Sequence, residues 1–178
     1  MERKHIDPHQ FITQPFTLFD KQWFLLTSGE LKRKKFNCMT ISWGSMGIMW
    51  NKPFVMVAVR PTRYTYEFMN DFDTFTICTF SGQYRSTLDM LGSRSGRDED
   101  KIAASGLTPI ASRVVDAPSY EEAELIIECK KMYWQDYEPG QFLNPAILLE
   151  YPKKDYHRMF FGEILDISGI KSFMAGKG

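Results

Sequence analysis

The sequence predicts a mainly β domain with short helices, arranged as a closed or partly closed antiparallel barrel. Three observations carry this prediction. Short apolar segments rich in β-branched and aromatic residues recur along the chain, bounded by Gly, Pro, Asn or Asp. Helical patterns fall between them without the regular strand–helix alternation of a doubly wound sheet. The 178 residues, 43% of them hydrophobic, suffice to bury the core of one domain.

Four strands are predicted in the first half of the chain, at residues 22–27, 37–43, 53–59 and 74–80. The third of them is apolar and β-branched, and Pro53 stands at its entry, where no ladder donor is lost. A short helix is predicted over residues 62–69 because Tyr64, Phe68 and Met69 share one face.

The rest of the chain contains two predicted helices and two predicted strands. The helices span residues 84–91 and 98–105 and are closed by the glycines at 92 and 106. Residues 124–133 fit a strand or a helix by pattern, and the β-branched stretch 125–129 favours a strand. The last strand covers residues 160–167 and is interrupted by Gly162. Residues 1–15 are predicted to form an N-terminal arm, and residues 16–178 a single domain.

Charge and hydropathy exclude several classes of partner. The formal net charge is zero, which gives no electrostatic reason to expect nucleic acid or an anionic membrane. No apolar run approaches the roughly 20 residues that span a bilayer. Residues 1–5 do not have the pattern with which a signal peptide begins. We therefore expect a cytoplasmic protein that binds neither nucleic acid nor membrane.

The three cysteines, Cys38, Cys78 and Cys129, lie far apart in apolar, strand-like segments. None has the Cys-x-x-Cys spacing of a zinc site or a dithiol motif, so no metal site is predicted. They are expected to be buried, reduced thiols that pack as small hydrophobic residues. Any redox chemistry would then belong to a bound cofactor.

Residues 36–44 carry polar side chains on a predicted strand that enters a glycine-containing turn. Alternation sends Thr40 and Ser42 to one face, where two hydroxyls suit a phosphorylated ligand. Trp43 offers a flat apolar wall for a planar ring, and Gly44 permits close approach because it lacks a Cβ. The alternative is that both hydroxyls occupy the solvent face of an antiparallel strand.

Arg60 ends the third strand, where its guanidinium needs an anion or a carboxylate nearby. The segment 61–65 begins the next helix, whose free N–H groups and positive dipole end favour a phosphate. A surface salt bridge is the alternative role for Arg60. Together with the preceding strand, this pattern points to a phosphorylated aromatic cofactor.

The loop at residues 92–101 leads into a predicted helix and contains two glycines. Ser95, Arg97 and Lys101 are placed to reach an anion from this loop. A simpler interpretation, compatible with the first, is that Asp98 caps the helix and its charged neighbours are solvated.

Four motifs spread over residues 37–157 resemble the flavin reductase-like family, most closely its flavoredoxin-like branch. The resemblance implies a split β-barrel that binds FMN, accepts electrons from NAD(P)H, and commonly forms a homodimer with FMN at the subunit interface. The motifs are Asn37-x-Met39-Thr40-x-Ser42-Trp43-Gly44, Arg60-Pro61-x-Arg63-Tyr64-Thr65, Ser95-Gly-Arg-Asp-x-Asp-Lys101 and Asp155-x-His157.

The same resemblance implies which positions contact the cofactor. By it, His157 lies on the open side of the flavin near the nicotinamide and orients the donor, although here a tyrosine separates Asp155 from His157. The alternative is an ordinary exposed loop histidine. The implied cofactor-binding residues are Asn37, Met39, Thr40, Ile41, Ser42, Trp43, Gly44, Arg60, Tyr64, Thr65, Ser95 and Lys101.

Three functions follow from these expectations. The first is an FMN-dependent oxidoreductase that passes electrons from NAD(P)H or a reduced partner to a flavin or protein acceptor. The second is a flavoredoxin-type electron carrier with little NAD(P)H activity, and the third is a split-barrel binding domain without flavin. The chain has no Gly-x-Gly-x-x-Gly after a strand, so a nicotinamide would stack directly on the flavin. The basic run 30–35 is interpreted as a solvated hairpin tip, or else as an attractor for donor phosphates or an acidic redox partner.

Overall fold

The computed structural model describes residues 2–175, so Met1 and residues 176–178, at the ends of the predicted arm and domain, lie outside the described residues. Within that range the chain forms an eight-stranded antiparallel sheet and a separate two-stranded hairpin. The strands are β1 Lys4–His5, β2 Phe24–Glu30, β3 Lys35–Ile41, β4 Gly44–Met49, β5 Lys52–Val59, β6 Thr74–Thr79, β7 Pro109–Ile110, β8 Ser119–Tyr120, β9 Leu125–Asp136 and β10 Arg158–Gly169. The helices are α1 Pro15–Thr17, a π-helical turn Leu18–Gln22, α2 Tyr64–Asp71, α3 Arg85–Ser93 and α4 Lys101–Ala104.

The order of the strands explains why the sheet closes only partly. Along the sheet it is β3-β2-β6-β9-β10-β5-β4, with β1 paired to β10. The two end strands, β3 and β4, follow one another in the chain, and only Ser42 and Trp43 connect them. The sheet must therefore curl until its ends meet, yet no ladder joins β3 to β4 among the described strands. The result is a split barrel, which confirms the predicted fold class.

Strand alternation distributes the apolar side chains over two cores. The inside of the barrel is filled by a cluster that includes Phe24, Val57 and Phe160, all fully buried. The opposite face of the same sheet packs Leu25 and Cys38 under α3 and the segment that follows it. Burial on both faces explains why β2 is apolar throughout its first half rather than alternating.

The predicted elements differ from the structure in ways that have physical causes. β4 was not predicted, because Gly44 and Gly47 favour a turn; the turn lies instead at Trp50 and Asn51, both with positive φ. The predicted interruption at Gly162 is wrong, since β10 continues through it with a shift in register. A Cβ there would lie 2.5 Å from the ring of Phe75, so only glycine permits this packing.

The helices also end differently from the prediction. α4 is shorter than the predicted helix, and Asp100 rather than Asp98 caps it by accepting a hydrogen bond from the N–H of Ala103. Gly92 lies inside α3 instead of closing it. By contrast, the strand interpretation of residues 124–133 is confirmed, because β9 runs through this segment.

The first residues pack against the barrel. β1 pairs with the end of β10, Ile6 is 1% exposed in the core, and Arg3 donates to the carbonyls of Glu121 and Ala123. This segment therefore stabilises the end of β10, the strand that begins directly after His157.

The three cysteines are buried and unpaired, as predicted. Burial raises the pKa of the Cys38 thiol to about 11, which keeps it protonated and unreactive near neutral pH.

Candidate functional site

The open edge of β3 forms one wall of a cavity. β3 pairs with β2 alone among the described strands, so its other edge carries N–H and C=O groups without ladder partners. This edge borders a cavity of about 250 Å³, here called the edge cavity. Unpaired backbone groups beside an open space are suited to a planar ring with donors and acceptors on its rim. The cavity is lined by Met39, Thr40, Ile41, Ser42, Trp43, Ala58, Arg60, Arg63 and His157.

A second, smaller cavity adjoins the first. This loop cavity has a volume of about 70 Å³, and Met39 and Arg63 line both cavities. Its walls come from β3, the start of α2, residues 92–96 and the start of α4. Its lining residues are Asn37, Met39, Thr62, Arg63, Tyr64, Thr65, Gly92, Ser93, Arg94, Ser95, Gly96 and Lys101.

Hydrogen bonds hold the walls of the loop cavity together. The amide of Asn37 donates to Thr65 Oγ1 at 2.8 Å, which joins β3 to the first turn of α2. Gly96 passes so close to Asn37 that a Cβ would lie 2.4 Å from its Oδ1. Glycine at this position thus allows the loop to close over the cavity.

Lys101 lies almost entirely inside the protein, with 3% of its surface exposed. Its Nζ donates to the carbonyls of Leu91 at 2.7 Å and Arg94 at 3.0 Å, where α3 ends. Burial lowers the pKa of the ammonium group. Because an ammonium has three N–H donors, one is left for a ligand in the loop cavity.

Arg60 and Arg63 are only three residues apart but have different surroundings. Arg60 donates to Asp155 Oδ1 at 3.0 Å and to the carbonyl of Glu150 at 2.8 Å, and its guanidinium lies over the ring of Tyr151. Arg63 is exposed and enters no ion pair or side-chain hydrogen bond among residues 2–175. Arg63 therefore has the guanidinium that is free to meet an anion.

His157 borders the edge cavity and is buried, with 7% of its surface exposed. Its Nδ1 shares a hydrogen bond of 2.8 Å with the hydroxyl of Tyr151, and its ring lies 5.0 Å from that of Trp43. Burial, followed by the charge of Arg60, lowers its pKa to about 4. The imidazole is consequently neutral at pH 7, and its Nε2 makes no hydrogen bond with the described residues.

The hydroxyl of Thr40 is already engaged, since it donates to the carbonyl of Leu88 in α3. Ser42 follows the end of β3 and borders the edge cavity. Gly44 lies outside both cavities and begins β4. A Cβ on Gly44 would lie 2.5 Å from the carbonyl oxygen of Met56 and 2.6 Å from the ring of Phe19, so its lack of a side chain serves packing of the barrel.

The structure thus brings together all of the predicted cofactor-binding and catalytic residues except Gly44; Arg97, which the sequence also offered to an anion, pairs with Glu67 outside both cavities. Sequence reasoning missed Arg63, Gly96 and Tyr151. Arg63 was visible as the second arginine of its motif, whereas nothing in the sequence pairs Tyr151 with His157. The assembled residues are Asn37, Met39, Thr40, Ile41, Ser42, Trp43, Arg60, Tyr64, Thr65, Ser95, Lys101 and His157.

Within residues 2–175, no three His, Cys, Asp or Glu side chains are grouped as metal ligands. None of the helices described above has the length and apolar character needed to cross a membrane.

Comparisons with known proteins agree on the fold. Residues 17–174 match the family model described as the flavin reductase like domain. A protein of Archaeoglobus fulgidus is 25% identical over 160 residues, which cover 90% of this chain and 78% of that protein. The flavoredoxin of Desulfovibrio vulgaris (Miyazaki F) is 29% identical, with a TM-score of 0.65 over 84% of this chain and 70% of its own. A flavoredoxin from Methanosarcina acetivorans is 22% identical, with a TM-score of 0.62 over 95% of this chain and 74% of its own.

Proposed function

Because this chain belongs to the flavin reductase-like family, we propose that it is an FMN-binding oxidoreductase. In this proposal, electrons from NAD(P)H or a reduced partner pass through bound FMN to a flavin or protein acceptor. The flavin, when bound, supplies the hydride and electron chemistry that no side chain of the site offers. The protein contributes binding, orientation and exclusion of water.

The observation that carries the proposal is the continuity of the two cavities along β3. The unpaired edge of β3 at residues 39–41 suits the polar rim of a flavin ring, and Trp43 adds an apolar surface beside it. The loop cavity suits the phosphate, because Arg63, Lys101 and Thr65 bring charged and neutral donors to it. We assign the remaining predicted residues of the edge cavity to the flavin ring, and those of the loop cavity to the phosphate.

His157 has the properties of an orienting group rather than a base. Its pKa of about 4 keeps it neutral, and Tyr151 occupies Nδ1. Burial raises the pKa of the Tyr151 hydroxyl, which stays protonated and is able to donate to the imidazole. Nε2 then carries the remaining proton and offers it to a carbonyl group of a donor in the edge cavity.

A second candidate is an electron carrier with little NAD(P)H activity. It is favoured by the 29% identity to a flavoredoxin over most of the chain. The carrier uses the same site, and it differs from the reductase only in the source of the electrons.

Absorbance measurements test both proposals. Purified protein loaded with FMN should show the bands of bound flavin, and their absence after reconstitution would refute both candidates in favour of a flavin-free binding domain. Anaerobic addition of NADH or NADPH should then bleach the bands at a catalytic rate. Bleaching by dithionite but by neither nicotinamide would leave the electron carrier.

We also propose that the protein is a homodimer with FMN near the interface. The proposal is supported by exposed apolar side chains at the β4–β5 hairpin, where Trp50 packs edge-on against Tyr133 of β9: Ile48, Met49, Trp50 and Tyr133. Sedimentation of the wild-type protein should give a dimer, and Trp50→Lys should weaken it. A monomeric wild-type protein would contradict the proposal.

The cytoplasm is the compartment that we propose for this protein. Three buried, unpaired thiols are ordinary in a reducing compartment.

A further inference from the structure

A polar cavity lies on the outer face of the sheet and shares no lining residue with the edge cavity or the loop cavity. This outer cavity has a volume of about 480 Å³, within the range of roughly 300–1,000 Å³ typical of ligand pockets. Its floor contains Ile126 and Glu128 of β9 and Ser168 of β10, because alternation turns the neighbouring Ile127 and Ile167 into the barrel. The β7–β8 hairpin and the N-terminal segment complete its walls. The functions proposed above make no use of it.

Glu128 is a buried carboxylate without a cationic partner among residues 2–175. Only 1% of its surface is exposed, and its two oxygens accept the backbone N–H groups of Arg113 and Val114 at 2.8 and 2.7 Å. The guanidinium of Arg113 pairs with Asp166 instead, at 3.0 Å. Each oxygen of Glu128 keeps a further lone pair. A buried carboxylate is stabilised by a cation, so Glu128 is suited to a cationic group of a ligand.

Two buried hydroxyls line the same cavity. Ser119 is 2% exposed and Ser168 is 7% exposed. Neither hydroxyl forms a hydrogen bond within the described range 2–175, and neither oxygen is sealed off from open space. An ammonium group has three N–H donors, and the carboxylate of Glu128 and these two hydroxyls supply three acceptors for it.

Arg3 brings a positive charge to the end of the outer cavity near β1. Its Nη1 donates to two backbone carbonyls just before β9, which leaves the N–H groups of Nε and Nη2 for a ligand. Through its neighbour Lys4, it lies near the level of Gly169 on β10. Glu128 lies at the level of Asp166, three positions away, which corresponds to roughly 10 Å along the strand.

The remaining charged side chains around the outer cavity pair with one another. Asp166 accepts from Arg113 and lies 2.7 Å from His5 Nδ1, and Lys4 Nζ lies 3.6 Å from the carboxylate of Glu2. Within the described chain, the unpaired charges are therefore one negative charge on the floor and one positive charge at the end near β1. Together they leave no net charge for a simple cation or anion to neutralise.

We propose that the outer cavity binds a small zwitterion with an ammonium group and a carboxylate, such as an amino acid. The ammonium group binds Glu128 and the two serine hydroxyls, and the carboxylate binds Arg3. The side chains of Ile110 and Ile126 offer apolar surface to the carbon chain between the two charges. Complementary charge at both ends distinguishes this ligand from an amine or a carboxylic acid of the same length.

Calorimetric titration with ω-amino acids of increasing chain length tests the inference. The series runs from glycine through γ-aminobutyrate to ε-aminocaproate. Because the two charged residues are several strand positions apart, the best ligand should be longer than glycine. It should bind at least about tenfold more tightly than the amine or the carboxylic acid of the same length, since each of these lacks one charge-assisted contact.

Substitutions identify the groups that bind the ligand. Glu128→Gln removes the charge and should lower the affinity for the best amino acid about tenfold or more. Glu121→Gln is the matched control, because Glu121 is exposed and lies outside the cavity lining. Arg3→Met should weaken binding of the amino acid but not of the matching amine. Ser168→Ala should weaken binding several-fold, and it keeps the test valid if Glu128→Gln does not fold.

Three results would overturn the inference. One is the absence of binding by every member of the series at millimolar concentration. Another is equal affinity for the amino acid and the matching amine, which would make the site one for a simple cation. The third is an unchanged affinity in both Glu128→Gln and Ser168→Ala. Tight binding of the amino acid that is lost in Glu128→Gln supports the inference whether or not the protein binds FMN, so the flavin proposal stands or fails separately.

Discussion

The edge cavity and the loop cavity share Met39 and Arg63, but the chain builds them in different ways. The loop cavity is formed by side chains that bond to one another or to nearby carbonyls, such as Asn37 to Thr65 and Lys101 to Leu91. The edge cavity is formed by a strand edge without ladder partners, faced by His157 from a distant part of the sequence. The preformed donors of the loop cavity favour affinity for the cofactor. The open edge and the oriented imidazole of the edge cavity favour control over how an electron donor approaches it. Substitutions in the two cavities should therefore change different quantities.

The largest effect is expected for His157→Ala in the edge cavity. The variant should slow anaerobic reduction of bound FMN by up to about 100-fold, because misplacing a donor by about 1 Å carries a penalty of that size. FMN affinity should stay nearly unchanged, and Tyr151→Phe, which removes only the hydroxyl, should slow reduction less. Stopped-flow bleaching measures the rates. Reduction of His157→Ala at the wild-type rate would contradict the orienting role.

In the loop cavity, Arg63→Ala should lower FMN affinity about 10- to 100-fold. The free guanidinium makes a charge-assisted hydrogen bond to phosphate that contributes about 1.5–3 kcal/mol. Arg60→Ala is the natural comparison, since Arg60 is already bound to Asp155 and Glu150 and should have a smaller effect on affinity. Fluorescence titration measures both. A larger loss of FMN affinity in Arg60→Ala than in Arg63→Ala would assign the phosphate contact to Arg60 instead.

Lys101→Met should change both affinity and stability. It leaves the carbonyls of Leu91 and Arg94 without their donor, which should lower the free energy of unfolding by about 1–3 kcal/mol. Lys131→Met is a matched control, because Lys131 donates to the carbonyl of Met69 near the end of α2 and is also partly buried. Urea unfolding should show losses in both variants, while FMN titration should show a loss in Lys101→Met only. Equal FMN affinities would remove Lys101 from the phosphate site.

A change in stability of about the same size is expected in the pH dependence of the flavin-free protein. The folded pKa of His157, about 4, lies below the unfolded value near 6.5, so the unfolded chain alone takes up a proton between these values. The stabilising contribution of neutral His157 is present above pH 6.5 and is lost as the pH falls toward 4, by roughly 1–3 kcal/mol. Urea unfolding at several pH values should show this slope in wild type and in His9→Gln, and a weaker slope in His157→Gln. The same slope in all three proteins would assign it to other groups.

Local sequence explains the loop cavity better than it explains the surroundings of His157, for a physical reason. Asn37, Thr65 and Lys101 lie in short motifs that carry the resemblance to the family, and the hydroxyl of Thr65 and the ammonium group of Lys101 are donors that suit a phosphate. The burial of His157 depends on Tyr151 and on a strand that arrives from elsewhere in the chain, so composition near His157 does not reveal it. Its alternative as an exposed loop histidine is wrong, because the residue is buried.

Strand prediction succeeded where burial is visible within one segment and failed where it depends on residues that meet only in the folded chain. β9 was recognisable because the β-branched residues of its buried first half follow one another in a single segment. β4 was not, because Gly44 is dictated by Phe19 and Met56, which approach it only in the folded barrel. The partner of Arg60 likewise lies 95 positions away, in Asp155, and no local pattern could show that the two would pair.

The unpaired edge of β3 has a consequence for handling the protein as well as for binding. A bare strand edge is a template on which another chain can add a strand, and such contacts seed aggregation. A cofactor lying along residues 39–41 would shield this template. We therefore expect the flavin-free protein to scatter light earlier on warming than the flavin-loaded protein at equal concentration. On this view, the cofactor protects the solubility of the chain that holds it.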